Sequence, residues 1–184
     1  MAQALCHDLL DNGIQVNPMV DEESEFVDDF IMKSSFDRDE DIHHGYDLLK
    51  RYPHNAELWL RCGHLIEMSK SGTFQTDEAR HCYERVIHLQ PDHFKGYEHL
   101  GDWYRVRCDD ARTAIGLYRR AIELGNEDSS RIELAIALAS LGTKAEALRE
   151  LESCRNKHDS DYVETKRNIA DGLHDPYPTP EAGA

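Results

Sequence analysis

Histidine and cysteine are the residue types in this chain that could hold a metal ion. The sequence has 11 His and 5 Cys among 184 residues. Zinc sites draw their ligands from close pairs of such residues, as in Cys-x-x-Cys or His-Glu-x-x-His. Neither pattern occurs, and the adjacent His43 and His44 would point in different directions on a helix. We therefore expect no metal site and no cofactor.

Motifs for nucleophilic or nucleotide chemistry are also missing from the sequence. It contains no Gly-x-Ser-x-Gly elbow, no phosphate-binding P-loop and no glycine-rich dinucleotide turn. The paired acids Asp77-Glu78 and Asp109-Asp110 each precede a segment with helical periodicity. Carboxylates at that position stabilise a helix N-terminus, which explains them without catalysis. We expect a protein with no enzymatic activity.

The cysteines and the N-terminus favour a cytoplasmic location. An odd number of cysteines without a Cys-x-x-Cys pair indicates small buried side chains in a reducing compartment rather than a disulfide framework. The opening "MAQALCHDLLDNG" has no basic segment ahead of its apolar residues, so it does not resemble a secretory signal. No apolar run approaches the roughly 20 residues that span a bilayer.

The charge of the chain is strongly negative and unevenly distributed. A formal net charge of -15 disfavours nucleic acid and anionic membrane as partners. Residues 21–41 hold ten acids against Lys33 and Arg38, a net charge of -8. The same segment has an apolar helical face formed by Phe26, Val27, Phe30 and Ile31. A purely solvating tail needs no such face, so we expect a packed helix here.

Almost the whole chain has helical periodicity, because Gly and Pro fall between the periodic segments and no alternating pattern suits a sheet. Two segments before residue 54 are followed by six more, and a last amphipathic segment surrounds Tyr162 and Ile169. The six central segments cover 58–68, 79–89, 97–106, 111–124, 132–141 and 145–154.

These segments form a repeat of helical pairs. Small residues align in the first helices at spacings of 38 and 34 residues, and larger ones align in the second helices at spacings of 35 and 33. The aligned sets are Gly63, Gly101 and Ala135, and Tyr83, Tyr118 and Leu151. A period near 34 residues is typical of a helix-turn-helix array.

The pattern resembles the tetratricopeptide repeat (TPR) family. Residues 97–125, "YEHLGDWYRVRCDDARTAIGLYRRAIELG", carry it best through Tyr97, Leu100, Gly101, Tyr104, Ala114, Tyr118 and Ala121. The resemblance implies an all-α fold: a right-handed superhelix of antiparallel helix-turn-helix repeats with a C-terminal capping helix. The first repeat departs from the family by a long turn, and the third by Arg131 in place of an aromatic residue.

We predict five parts along the chain. They are an N-terminal segment (1–20), an acidic helical segment that is either a degenerate repeat or a cover for the groove (21–53), three TPR-like repeats (54–158), a capping helix (159–175) and a disordered tail (176–184). The cap is expected to cover the end of the third repeat with Tyr162, Val163, Ile169 and Leu173.

The resemblance further implies a partner-binding groove lined by the first helix of each repeat. The residues that the repeat pattern leaves available there are Leu60, His64, Glu67, Lys95, Glu98, Asp102, Arg105, Ile132, Ile136 and Ala139. Family members that grip a C-terminal carboxylate use Lys, Asn and Arg where this chain has Leu60, His64 and His99. The mixed set suits a peptide with apolar anchors and some basic character, although Ile132 and Ile136 could equally pack inside the fold.

We therefore predict a non-catalytic protein–protein interaction adaptor that binds a peptide or a partner protein in a helical groove. A type III secretion-type chaperone is an alternative, since small acidic proteins with three such repeats serve that role. A self-associating scaffold, which would make the chain a homo-oligomer, and a non-catalytic subunit of an enzyme complex are two further alternatives.

Overall fold

The computed structural model describes residues 20–35, 38–70 and 73–176, and in these ranges the chain forms nine α-helices and no strand. The helices are α1 (Val20–Lys33), α2 (Asp39–Arg51), α3 (Ala56–Met68), α4 (Thr76–Leu89), α5 (Phe94–Arg107), α6 (Ala111–Glu123), α7 (Glu127–Ser140), α8 (Lys144–Glu152) and α9 (Ser160–Ala170). The predicted all-α fold of helical hairpins is confirmed. Apart from residues 20 and 176, the predicted N-terminal segment and tail lie outside the described residues.

The chain divides into two compact units, Met1–Pro91 and Asp92–Ala184. Helices α1 to α4 belong to the first unit and α5 to α9 to the second. The division follows α4, between the first and the second predicted repeat. The finer partition into five parts stays a prediction.

In the first unit, α1 packs against both α2 and α3. Val27 and Phe30 are buried, and Gly45 of α2 leaves space for the Phe30 ring. A Cβ atom on Gly45 would lie 2.6 Å from Cys62 Sγ and 3.1 Å from Phe30 Cζ. Arg61 of α3 also holds the end of α1, donating from Nε to Ser34 Oγ at 2.7 Å.

The apolar stripe of α1 is narrower than the sequence predicts. Phe26 is 60% exposed, and Ile31 is half-buried. Burial is centred between Val27 and Phe30, three residues apart, so Phe26 and Ile31 fall at opposite edges of the stripe.

A glycine and a tyrosine interlock in one hairpin of each unit. A Cβ atom on Gly63 would lie 2.6 Å from Tyr83 Cε1, and one on Gly101 would lie 2.8 Å from Tyr118 Cε1. Both tyrosines have 0% exposure. The aligned residues of the first two repeats therefore meet in the same way, with the glycine where the two helices cross.

In the second unit, α9 packs against α7 and α8 and closes the core as a cap. Tyr162 and Ile169 are buried among residues of α6, α7 and α8. The expectation for Val163 and Leu173 is wrong, because they are 53% and 71% exposed. Val163 follows Tyr162 by one residue and so faces another direction, while Leu173 lies beyond the end of α9.

Candidate interaction surface

Three of the predicted binding residues lie on α3 of the first unit, and the structure uses them largely for packing. Leu60 is only 6% exposed, so little of it is available to a partner. Glu67 accepts a hydrogen bond from the Tyr83 hydroxyl at 2.8 Å. The His64 ring is tilted against the Tyr83 ring, with centroids 5.9 Å apart. Because α3 contacts α1, α2 and α4, much of its surface is covered.

Four predicted residues lie on α5 of the second unit, and Asp102 and Arg105 belong to one hydrogen-bond network. The Tyr118 hydroxyl donates to Asp102 Oδ1 at 2.8 Å and accepts from Arg105 Nε at 3.2 Å. Arg105 Nη2 also donates to Glu133 Oε2 of α7 at 2.6 Å. This network ties the hairpin of α5 and α6 to α7.

The network has an unusual charge balance. Burial, together with the nearby Glu133 carboxylate, raises the pKa of Asp102 to about 7. Burial and the same aspartate raise the pKa of Tyr118 above its ordinary value, which is already well above neutrality. Its hydroxyl is therefore a donor at neutral pH. Asp102 therefore titrates near neutrality while it holds a bond to a core side chain.

Glu98, also on α5, faces the start of α7. It accepts from Ser129 Oγ at 2.8 Å and from Asn126 Nδ2. Lys95 is half-buried in the first turn of the same helix. Glu98 and Arg105 thus join α5 to α7. Ala139 of α7 is fully buried in the core.

Ile132 and Ile136 behave differently, because they form the apolar floor of an open groove. This α7–α9 groove encloses about 450 Å³. It is lined by Asp128, Ser129, Ile132, Glu133, Ile136, Asn156, Asp159, Asp161, Glu164, Thr165, Asn168 and His174. The two isoleucines are half-buried, so part of each faces the groove.

Two helical stripes line the groove from opposite sides: the α7 stripe is partly apolar, and the α9 stripe is polar. On α7 the stripe is formed by Ser129, Ile132, Glu133 and Ile136, with Asp128 beside it, and on α9 it is formed by Asp161, Glu164, Thr165 and Asn168. Both stripes follow the spacing i, i+3, i+4, i+7, which places their members on one helical face. The sequence prediction included only the isoleucines of α7, although the polar stripe of α9 has the same spacing.

Five carboxylates line the groove, and neither Lys nor Arg is among its lining residues in the described part of the chain. Three of the five are held by backbone N–H groups or by an arginine. Asp128 accepts from the backbone N–H groups of Arg155 and Asn156, both at 2.9 Å, and these bonds lower its pKa. Asp159 caps α9 by accepting from the Asp161 N–H at 2.9 Å.

The third partnered carboxylate is Glu133, which pairs with Arg105. Asp161 and Glu164 remain exposed on the α9 side of the groove. Nearby bases pair elsewhere: Lys166 with Glu152 and Arg155 with Glu127. The groove therefore keeps a negative rim above an apolar floor.

Comparisons with known proteins support the fold. No family model matches the sequence, and no curated protein matches it. Two similar solved structures are both crystal structures of MamA, a TPR-like helical-repeat protein. The first has a TM-score of 0.57 and 21% identity, covering 82% of this chain and 75% of that one. The second has a TM-score of 0.56 and 17% identity, covering 86% and 96%. At these identities the likeness shows a TPR-like helical-repeat fold and nothing more specific.

The described residues contain neither a membrane-spanning helix nor a cluster of metal ligands. None of the helices there combines the length and apolar character needed to cross a bilayer. No group of three or more His, Cys, Asp and Glu side chains in the same ranges is placed to hold a metal ion.

Proposed function

We propose that this protein is a non-catalytic interaction adaptor that binds a segment of a partner protein in the α7–α9 groove. The groove itself is the observation that carries the proposal. Its volume of about 450 Å³ lies within the range of roughly 300–1,000 Å³ found for binding pockets. Ile132 and Ile136 offer an apolar floor, and helix-lined grooves of this kind accept side-chain anchors from a peptide.

The predicted binding residues take two roles in this proposal. Ile132 and Ile136 contact the partner directly. Asp102 and Arg105 act indirectly, because their network with Tyr118 and Glu133 positions α7. For Lys95, Glu98 and the three residues of α3, contact with a partner stays a hypothesis. Their burial and their intramolecular contacts leave less of each side chain available to a partner.

Site-specific photo-crosslinking tests the proposal in cells of the native host. A photo-reactive residue at position 136 is expected to capture a partner protein, and the additional change Ile132→Ala is expected to reduce the yield. The matched control is the same reactive residue at position 112, an exposed site on α6. Equal capture at the two positions, or none at position 136, would contradict binding in the groove.

Sizing by light scattering separates the adaptor from a self-associating scaffold. The adaptor is expected to be monomeric in isolation, whereas a scaffold would form a homo-oligomer. The partner found by crosslinking then distinguishes a secretion-type chaperone, which would capture an exported protein, from a non-catalytic subunit, which would capture an enzyme.

A further inference from the structure

We propose that the α7–α9 groove selects a basic partner segment, in which one apolar side chain rests on Ile132 and Ile136 and a flanking Lys or Arg pairs with Asp161 and Glu164. This inference rests on the proposed function and specifies the chemistry of the partner.

The two facing stripes provide complementary parts of such a site. The α7 stripe supplies the apolar surface, and the α9 stripe supplies exposed carboxylates one helical turn apart, at positions 161 and 164. A segment lying between the two helices would therefore meet the apolar floor of Ile132 and Ile136 on the α7 side and the exposed carboxylates of Asp161 and Glu164 on the α9 side. An apolar anchor beside a cation satisfies both sides at once.

The distribution of ion pairs shows which acids are available to a partner. Asp128 and Asp159 are held by backbone N–H groups, and Glu133 is held by Arg105. In the part of the chain that the structure describes, no Lys or Arg pairs with Asp161 or Glu164; Asp161 has only the Ser160 hydroxyl, at 3.3 Å. The nearby Lys166 and Arg155 pair with other acids. A basic residue from a partner would therefore supply the positive charge that Asp161 and Glu164 do not receive from the described residues of this chain.

Charge also argues against other occupants. An acidic segment would bring like charges toward the five carboxylates of the groove. A second copy of this chain carries a net charge of -15, so its approach is opposed by overall repulsion. Complementary charge contributes mainly to orientation and association rate, while the buried anchor contributes most of the affinity.

A peptide-display selection on the full chain tests the inference even while the natural partner is unidentified. Enriched peptides are expected to combine an aliphatic or aromatic residue with neighbouring Lys or Arg. Enrichment of neutral or acidic sequences would overturn the inference. Failure to enrich any sequence would overturn both this inference and the proposed function.

The binding constants of one enriched peptide for a set of variants then distinguish two claims. The first is that the groove binds the peptide, and the second is that the groove selects a basic segment. Asp161→Asn/Glu164→Gln is expected to weaken binding about 2–30-fold at low salt, as two exposed ion pairs would, and the loss should shrink as salt screens them. Glu25→Gln/Glu40→Gln on the first unit changes the net charge equally and is the matched control, with an expected change below about twofold. Because Asp161 lies in the first turn of α9, the single change Glu164→Gln is measured alongside, and thermal melts verify folding.

The double change Ile132→Ala/Ile136→Ala, the isoleucine variant, is measured with the same peptide. The groove-acid variant is Asp161→Asn/Glu164→Gln. If the isoleucine variant loses binding and the groove-acid variant does not, the groove binds its partner without selecting a basic segment, and only this inference fails. If neither variant loses binding, both claims fail. If light scattering instead shows a dimer that the isoleucine variant abolishes, the occupant is a second copy and the inference is again overturned.

Discussion

The close approach of Gly101 to Tyr118 predicts opposite effects for the same substitution at two glycines of the second unit. In Gly101→Ala the new Cβ would lie 2.8 Å from Tyr118 Cε1, whereas carbon atoms in good contact lie about 3.5–4.0 Å apart. The ring would therefore have to retreat by about 0.7 Å. It has little freedom to do so, because Tyr118 is fully buried and its hydroxyl is bonded to Asp102 and Arg105.

The magnitude follows from two opposing contributions. Overpacking of a closed core costs about 1–3 kcal/mol, while replacing Gly by Ala inside a helix gains about 1 kcal/mol. Gly101→Ala should therefore lower the free energy of unfolding by about 0–2 kcal/mol. Gly116→Ala on α6 receives only the gain, because a Cβ there meets nothing within 4 Å. The two variants should differ by about 1–3 kcal/mol.

Urea denaturation followed by circular dichroism measures both variants, and thermal melts should separate them by about 2–12 °C. A third variant, Gly101→Ala/Tyr118→Leu, reproduces the residue types at the aligned positions 135 and 151 of the third repeat. Removing the ring should relieve the clash, so the combined loss should be smaller than the sum of the single losses. Equal stability of Gly101→Ala and Gly116→Ala, or strictly additive losses in the double variant, would refute the proposed crossing of α5 and α6.

Three further predictions concern buried polar groups and the cap. The pKa of Asp102 is raised to about 7, so the folded state binds its proton more tightly than the unfolded state. The stability that this group contributes therefore falls as pH rises from about 4 to 7. Urea denaturation should show Asp102→Asn more stable than the parent at pH 8 but not at pH 4. Tyr46→Phe should cost about 1–3 kcal/mol, because the buried Glu78 carboxylate loses a donor at 2.6 Å, and a calorimetric melt that matches the parent would contradict this. Ile169→Ala should lower the free energy of unfolding by about 2–5 kcal/mol, whereas Val163→Ala on the exposed side of α9 should change it by less than about 0.5 kcal/mol. Chemical denaturation that ranks the two variants otherwise would contradict the packing of the cap.

Sequence pattern predicts helix crossings well because a crossing restricts side-chain size. Gly63 and Gly101 recur near the repeat period, and each precedes a tyrosine of the second helix. The structure brings each glycine against its tyrosine. A local steric requirement of this kind leaves a clear pattern in a single sequence.

The partners of charged side chains are much harder to predict. Arg105 and Glu133 are 28 residues apart, and their pairing depends on how α5 and α7 are rotated about their axes. The sequence alone is equally consistent with both side chains facing a partner protein instead of each other. Leu60 shows the same difficulty for an apolar residue. It is buried in α3, a helix that α1 also contacts, and the sequence leaves the packing of the α1 segment open between two alternatives.

The groove acids illustrate why hydrogen-bond partners, rather than residue types, decide the role of a carboxylate. Asp159 and Glu164 both line the groove, but only Asp159 accepts backbone N–H bonds at the start of α9. Asp159→Ala should therefore lower the free energy of unfolding by about 0.5–2 kcal/mol through loss of the cap. Glu164→Gln should change it by less than about 0.5 kcal/mol.

Binding of the selected peptide should separate these two residues in the opposite order. Glu164→Gln should weaken binding while Asp159→Asn, which keeps an oxygen to cap α9, should weaken it less, because that oxygen is already engaged by N–H groups of the helix. Peptide titrations and urea denaturation of the same two protein samples make the comparison. If Asp159→Asn reduced binding more than Glu164→Gln at unchanged stability, the division of the groove acids into structural and partner-binding groups would be wrong.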